Sequence, residues 1–288
     1  MRNLCFLSTD NLEDFFVWDS LCEEPFAEKG FTVDTASWHN FTHDYSQYEA
    51  VIVRTTWDYQ NSVTEFSQSL ARIEQSGTKL INPLPLMLWN INKRYLRTLS
   101  QQGVPIIPSI FLDNLKGIEL HEFFEDFACD EVIFKPLVSA NSDNTFRVST
   151  KTLPTQEAEL KSVFANTECM VQPFLSAIVD DGEYSLFFFN GQYSHTIKKV
   201  PKTGDFRVQE EHGGQLYSVQ PTPAQLDVAQ KVLTALPSEC LYARVDLVDN
   251  KGQWQLMEVE LIEPSLYFNM DPDSPSRFVT ATIDYLAK

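Results

Sequence analysis

Tyr242-Ala-Arg-Val-Asp246-Leu-Val, Asp249-Asn-Lys-Gly252 and Leu256-Met-Glu258-Val-Glu260-Leu-Ile-Glu263-Pro264-Ser265 are the runs on which the reading of this chain turns. Two apolar-rich runs flank an Asn-Lys-Gly turn, the pattern of a β-hairpin. Side chains alternate faces along a strand, so Glu258 and Glu260 point the same way, as do Arg244 and Asp246. In a suitable register Asp246 lies opposite the glutamate pair. Three carboxylates so placed repel one another unless a cation sits between them. Hard oxygen ligands suit Mg²⁺, which keeps waters and often shares phosphate oxygens. The competing reading is a sheet edge with solvated acids, common in so acidic a chain. The apolar character of the other hairpin positions weighs towards the metal.

The chain has 288 residues, one large domain or two to three small ones. At 43% hydrophobic and 12% aromatic it can pack a core, which argues against disorder. A formal net charge of -18 argues against a nucleic-acid surface, which needs clustered Lys and Arg. The short apolar run at 4–7 is no signal peptide, and no run is long enough to cross a membrane. Cys5, Cys22, Cys129, Cys169 and Cys240 are scattered and odd in number, without disulfide or zinc spacing. A reducing, cytoplasmic setting follows, with the cysteines as core residues.

The N-terminal part alternates in type. Strands are expected at 3–8, 31–36, 50–54 and 79–81, with helices at 13–29 and 63–75 closed by Gly30 and Gly77. Such alternation makes an open, largely parallel sheet, and ligands bind beyond the carboxyl ends of its strands. Arg54-Thr-Thr-Trp57-Asp58-Tyr59 is a pocket candidate by that position. A surface loop with an aromatic anchor is the bland alternative.

Residues 83–85 look like a linker. A helix then opens at Asn92-Lys93 and ends at Gly103; Lys93 in its first turn opposes the helix dipole unless it faces an anion. A strand is expected at 106–112, a helix at 120–127, and a strand at 131–136 ending Lys135-Pro136. Val138-Ser-Ala-Asn-Ser-Asp-Asn-Thr145 suits a loop whose amides and hydroxyls cover phosphates, although it lacks the glycines of a Walker or Rossmann turn. Further strands are expected at 168–174, 186–189 and 193–200, with Asn190-Gly191 as a tight turn. Gly204-Asp-Phe-Arg207 and the pair Gly213-Gly214, which allows close backbone approach, precede a helix at 223–236.

In that order these features resemble the ATP-grasp superfamily: a Lys at a helix start, a strand ending Lys-Pro, a polar loop, a hinge strand, Gly-Glu-Tyr-Ser, an Arg before Gly-Gly, and Asp246 with Glu-x-Glu. The likeness covers about residues 90–267. It looks most like the branch holding bacterial glutathione synthetase, D-alanine–D-alanine ligase and the cyclo-ligase of cycloserine biosynthesis. Arg54-Thr-Thr-Trp-Asp-Tyr and Gly-Asp-Phe-Arg-Val-Gln are most similar to the last.

The resemblance implies an α/β fold, α+β in its ATP-binding part: an N-terminal open parallel sheet over 1–85, a central lid subdomain with its leading helix over 86–172, and a C-terminal antiparallel-sheet subdomain over 173–288. It implies that Lys93, Lys135 and Ser139 bind ATP phosphates, that Gln172, Pro173, Phe174 and Leu175 meet adenine, and that Glu183 meets the ribose. Lys199 and Arg207 would approach the transferring phosphoryl group, and Asp246, Glu258 and Glu260 would hold two Mg²⁺. Many relatives carry Asn at the last position; Glu260 adds a negative charge and could shift preference towards Mn²⁺. Arg54 would grip a substrate carboxylate, with Thr55, Trp57, Glu263 and Ser265 around it. The competing role for Arg54 is pairing with Asp58. The implied activity is ATP-dependent ligation of a small carboxylate to an amine through an acylphosphate, including cyclisation within one molecule. A binding module without turnover and a kinase on this fold are the alternatives. The resemblance also admits a homodimer.

Overall fold

The computed structural model describes every residue except Met1, Asp14 and Asn141. Asp14 of the expected helix over 13–29 and Asn141 of the polar loop therefore lie outside the described residues.

The N-terminal sheet is built from β1 (Arg2–Ser8), β2 (Phe31–Ser37), β3 (Ala50–Thr55) and β4 (Lys79–Ile81), all parallel in the order β2-β1-β3-β4. The first connecting helix is shorter than its pattern predicts. A 3-10 turn at Asp19–Cys22 leads into α1, which covers only Glu23–Glu28. Pro25 sets the limit, because it has no N–H to offer a carbonyl one turn back and its ring crowds that turn. The second helix, α2 (Val63–Gln75), agrees with expectation and buries Phe66, Leu70 and Ile73. The segment at 83–85 is not a linker. Pro83 precedes α3 (Leu84–Ile91) and Pro85 lies in its first turn, where a missing N–H is harmless.

Lys93 precedes α4 (Tyr95–Gln101) instead of lying in its first turn; its N–H donates to the Leu137 carbonyl at 2.8 Å. The second sheet is antiparallel: β5 (Ile110–Leu112), β6 (Glu131–Pro136), β7 (Phe146–Ser149) and β8 (Cys169–Pro173) in the order β5-β8-β6-β7. With α5 (Glu122–Asp126) and α6 (Leu153–Val163) it encloses a core of Phe123, Phe134, Leu160 and Phe164. The strand expected from 106 starts only at Ile110, because Ile106 bridges to Leu256 instead.

The third sheet follows a short helix α7 (Ala177–Asp180). Its strands β9 (Glu183–Phe189), β10 (Gln192–Val200), β11 (Gln215–Val219), β12 (Tyr242–Asn250) and β13 (Gln253–Glu260) run antiparallel in the order β11-β10-β9-β12-β13. Both tight turns take the positive φ that matches strand twist: Asn190 at 47° with Gly191 at 77°, and Lys251 at 56° with Gly252 at 85°. Helix α8 (Pro223–Thr234) starts with a capping box between Thr222 and Gln225. The last helix, α9 (Ser274–Leu286), inserts Phe278 into a core shared by the first and third sheets, where Leu4 and Ile52 join Phe187 and Tyr242. That shared core fixes the carboxyl end of the parallel sheet against the carboxylate hairpin. No described helix is long and apolar enough to cross a membrane.

Candidate active site

The hairpin register pairs Asp246 with Glu258 and Arg244 with Glu260. One carboxylate oxygen from each of Asp246, Glu258 and Glu260 lies within 4.8 Å of the others. Cations surround the group. Arg244 Nη2 bonds Asp246 Oδ2 at 3.0 Å and also reaches Glu260, Lys199 Nζ is 3.7 Å from Asp246 Oδ2, and Lys93 Nζ is 3.7 Å from Glu258 Oε2. Burial works to raise the Asp246 pKa, yet Arg244 and Lys199 outweigh it and hold the group below the usual carboxylate range. Glu258 likewise is held low, against burial, by Lys93 and Lys135. Glu260 goes the other way. Burial, reinforced by Glu258 and Asp246, pushes it up to about 8 against the pull of Arg244. A divalent cation would relieve that repulsion, so the donor set fits a hard metal.

One cleft runs from this face to residues 172–175 at the end of β8. Lys93, Lys135, Ser139, Gln172, Pro173, Phe174, Leu175, Glu183, Lys199 and Arg207 all line it, as do Glu258, Glu260, Glu263 and Ser265. Its far end is apolar, with Ile107, Ile178, Val208 and Met257 on its walls. Gln172 Nε2 donates to Ser109 Oγ at 2.9 Å, and the Arg147 guanidinium lies 3.7 Å from the centre of the Phe174 ring. Lys93 Nζ donates to the Ser139 carbonyl at 3.0 Å. Burial lowers the Lys135 pKa, a state a bound phosphate would reverse. Lys199 forms a buried ion pair with Glu183. Burial raises the Glu183 pKa, with Lys199 opposing it. Arg207 is forked onto Asp205, with Nη2 at 2.7 Å from Oδ2. The two loops over the cleft touch where Gln209 Nε2 donates to Ser142 Oγ at 2.9 Å. Gly214 makes that loop path possible, since a Cβ there would lie 2.1 Å from the Val208 carbonyl oxygen.

The end of the cleft where the sequence reading expects a substrate carboxylate departs from that reading in two residues. Arg54 does not line the cleft. It is 1% exposed, with Nη2 bonded to Asp19 Oδ1 at 2.9 Å and to the Pro264 carbonyl at 3.1 Å. Thr55 is buried as well and donates to Ser8 Oγ at 2.8 Å. The expectation assumed an open sheet end; residues 263–267 cover it. The alternative pairing with Asp58 also fails, because Asp58 accepts from Trp38 Nε1 and meets His39 Nε2, both at 2.7 Å. Trp57 does line the cleft and donates from Nε1 to the Glu263 carbonyl at 2.8 Å. Burial pushes Glu263 up to about 7.

The sequence reading assigned no role to several residues that line the cleft: Phe15, Phe16, Arg244 and Tyr267. Phe15 lies against Trp57 with ring centres 5.0 Å apart. Arg244 could have been found, since it shares a strand face with Asp246. Tyr267 holds an uncommon left-handed backbone, φ 45° and ψ 48°, which nothing in its residue type announces.

A cleft with paired lysines, a hinge strand and an acidic hairpin between two antiparallel sheets defines an ATP-grasp ligase. The chain belongs to that family: the prokaryotic glutathione synthetase ATP-grasp domain matches residues 108–272. The N-terminal domain of D-cycloserine synthetase DcsG matches residues 4–82. Over 275 residues the chain is 31% identical to the cycloserine biosynthesis protein DcsG of Streptomyces lavendulae, covering 89% of this chain and 90% of that one. It superposes on the crystal structure of D-cycloserine synthetase DcsG with a TM-score of 0.88 at 26% identity, over 99% of both chains. The D-alanine–D-alanine ligase of Bacillus anthracis shares the fold, with a TM-score of 0.74 at 12% identity over 100% and 98% of the two chains. The chain is thus an ATP-dependent ligase of the ATP-grasp type.

Proposed function

We propose that this ligase closes a ring within one small amino-acid-type substrate. A carboxylate oxygen attacks the γ-phosphorus of ATP, the bond to the β-phosphate oxygen breaks, and ADP leaves. A nitrogen of the same molecule then attacks the acyl carbon of the acylphosphate. The C–O bond to phosphate breaks, phosphate departs, and the nitrogen releases its proton to solvent. The observation that carries this reading is that the likeness to DcsG extends through the N-terminal domain, which supplies Phe15, Phe16, Trp57 and Tyr59 to the acid end of the cleft. Aromatic walls suit a compact substrate that must fold back on itself.

In this reading Lys93, Lys135 and Ser139 hold the phosphates, residues 172–175 meet adenine, and Glu183 meets the ribose. Lys199, Arg207 and Arg244 neutralise charge that develops during phosphoryl transfer, and Glu263 and Ser265 face the acid. Asp246, Glu258 and Glu260 would hold two Mg²⁺ or Mn²⁺, which supply further charge neutralisation at the phosphates. The loops joined by Gln209 and Ser142 exclude water from the acylphosphate.

ADP release tests this with small amino acids that carry a second, terminal nitrogen. One ADP per turnover, with a product lighter than its substrate by one water, is the expected result. ADP release that requires a separate added amine would make the enzyme a two-substrate ligase. Hydroxylamine, which traps acylphosphates, separates either outcome from a kinase that stops at phosphoryl transfer.

A further inference from the structure

Just after the carboxylate hairpin, six consecutive carbonyl oxygens each accept a hydrogen bond from a distant side chain. The bonds run from Asn82 Nδ2 to Leu261 (2.8 Å), Tyr242 OH to Ile262 (2.8 Å), Trp57 Nε1 to Glu263 (2.8 Å), Arg54 Nη2 to Pro264 (3.1 Å), Arg244 Nη1 to Ser265 (3.4 Å) and His195 Nε2 to Leu266 (3.1 Å). Irregular backbone usually gives its carbonyls to water. This buried segment gives them to side chains from both sheets that share the core, and so fixes where Glu263 and Ser265 face.

Arg54 differs from the other donors in its second partner. Its Nη2 also bonds Asp19, which opens the 3-10 turn directly after the segment bearing Phe15 and Phe16. One nitrogen therefore joins two walls of the cleft. Its other nitrogens, Nε and Nη1, have no partner among the described residues, and the guanidinium lies 5.4 Å from the Tyr242 ring centre. A buried ion pair stabilises a fold little compared with well-packed apolar residues. Its placement here points to geometry instead.

We propose that Arg54 is a positioning residue for the acid end of the cleft. Through the Pro264 carbonyl and Asp19 it sets residues 263–265 against Phe15 and Phe16, without touching substrate. The proposal rests on the acid binding there, as the cyclo-ligase reading has it.

The test is the double variant Arg54→Met with Asp19→Asn, which removes both charges together and should keep Tm close to wild type. Hydrogen exchange of the amides in 263–267 should speed by about tenfold or more. KM for the acid should rise by roughly tenfold to a hundredfold, the order expected for a shift near 1 Å. The Kd for AMP-PNP with Mg²⁺, measured by calorimetry, should stay at the wild-type value. Arg54→Lys, which keeps a charge on Asp19, should recover part of the KM. Wild-type exchange in 263–267 would overturn the proposal, as would equal losses of acid and nucleotide affinity. If the wild type turns over no amino acid, the cyclo-ligase reading fails, while exchange and nucleotide affinity still decide the role of Arg54. If the double variant does not fold, the same measurements on Arg54→Lys decide it: wild-type exchange and KM there, with Arg54→Gln also indistinguishable, would overturn it.

Discussion

The two ends of the cleft are built on opposite plans. At the hairpin, three carboxylates stand on one sheet face with Arg244 and Lys199, Lys93 reaches Glu258 from the segment before α4, and charge sets the arrangement. At the acid end, Phe15, Phe16, Trp57 and Tyr59 form the wall, and hydrogen bonds from behind set the arrangement. The first plan leaves groups under electrostatic tension until a counter-charge arrives; Glu260, pushed up to about 8, marks it. The second leaves a fixed shape that a substrate must match. In the proposed reading, chemistry at one end depends on what binds, and selectivity at the other depends on what is already in place.

Removing one hairpin charge breaks this contrast hardest. Glu258→Gln keeps the shape and loses a ligand charge, so turnover should fall by about a hundredfold or more. Thermal stability should fall slightly, because Lys93 and Lys135 lose the partner charge through which they hold the Glu258 pKa down, while the weaker repulsion at Asp246 and Glu260 offsets part of that loss. ADP release and a melting curve check both, and wild-type turnover at ordinary Mg²⁺ would remove the hairpin from the metal site. Next in size is Lys135→Ala. A charge-assisted contact to phosphate is worth roughly 1.5–3 kcal/mol, and calorimetry with AMP-PNP reads that loss directly. Unchanged affinity would mean that Lys135 serves the fold. Smaller again is Gly214→Ala. The new Cβ would lie 2.1 Å from the Val208 oxygen and 2.6 Å from its carbonyl carbon, both backbone atoms that cannot swing aside. The loop must shift, the Gln209 contact to Ser142 goes with it, and kcat should drop by roughly tenfold. A wild-type kcat in that variant would mean the loop does not close on the reacting groups.

The contrast also explains what could be read from the sequence. The hairpin was legible in part. Alternation puts Glu258 and Glu260 on one face, but the turn, pairing Asn250 with Gln253, would by itself set Asp246 opposite Met257. A bulge between Leu247 and Asp246 shifts the pairing by one residue to Glu258. The parallel order of the first sheet followed from alternating strands and helices. Arg54 was misread because its exposure depends on residues more than two hundred positions away, which no local pattern reports. The expected helix over 13–29 ignored Pro25, and with it the freedom of Phe15 and Phe16 to reach the cleft. The linker at 83–85 was misread because Pro is a helix starter as well as a breaker. The left-handed backbone of Tyr267 is a product of tertiary packing.

The last effect, silent above about pH 7, sharpens the account of the second plan, because it touches only the last of the bonds behind residues 261–266. His195 is buried, stacked on Phe187 with ring centres 4.2 Å apart, and its Nε2 is 3.1 Å from the Leu266 carbonyl. Ser194 Oγ lies 2.9 Å from Nδ1 and accepts from Arg277 Nε at 3.0 Å. That arrangement suits a neutral ring with its proton on Nε2. Burial lowers the His195 pKa to about 4, with Asp271 opposing the shift and Arg277 adding to it. In the unfolded chain the pKa is about 6.5, so between these values the unfolded state binds more protons. The contribution of His195 is therefore intact above about 6.5 and is lost as pH falls towards 4, by about 3 kcal/mol at most. Glu260 and Glu263, with raised pKa values, push stability the other way as pH falls, so the wild-type curve alone mixes the two trends. His195→Gln isolates the histidine, since Gln keeps a donor for the Leu266 carbonyl but does not titrate. The wild-type minus variant difference in unfolding free energy should be flat above pH 7 and slope downward on acidification to pH 4. A difference that is flat over the whole range would mean that His195 titrates alike folded and unfolded, and that the Leu266 carbonyl does not depend on a neutral ring.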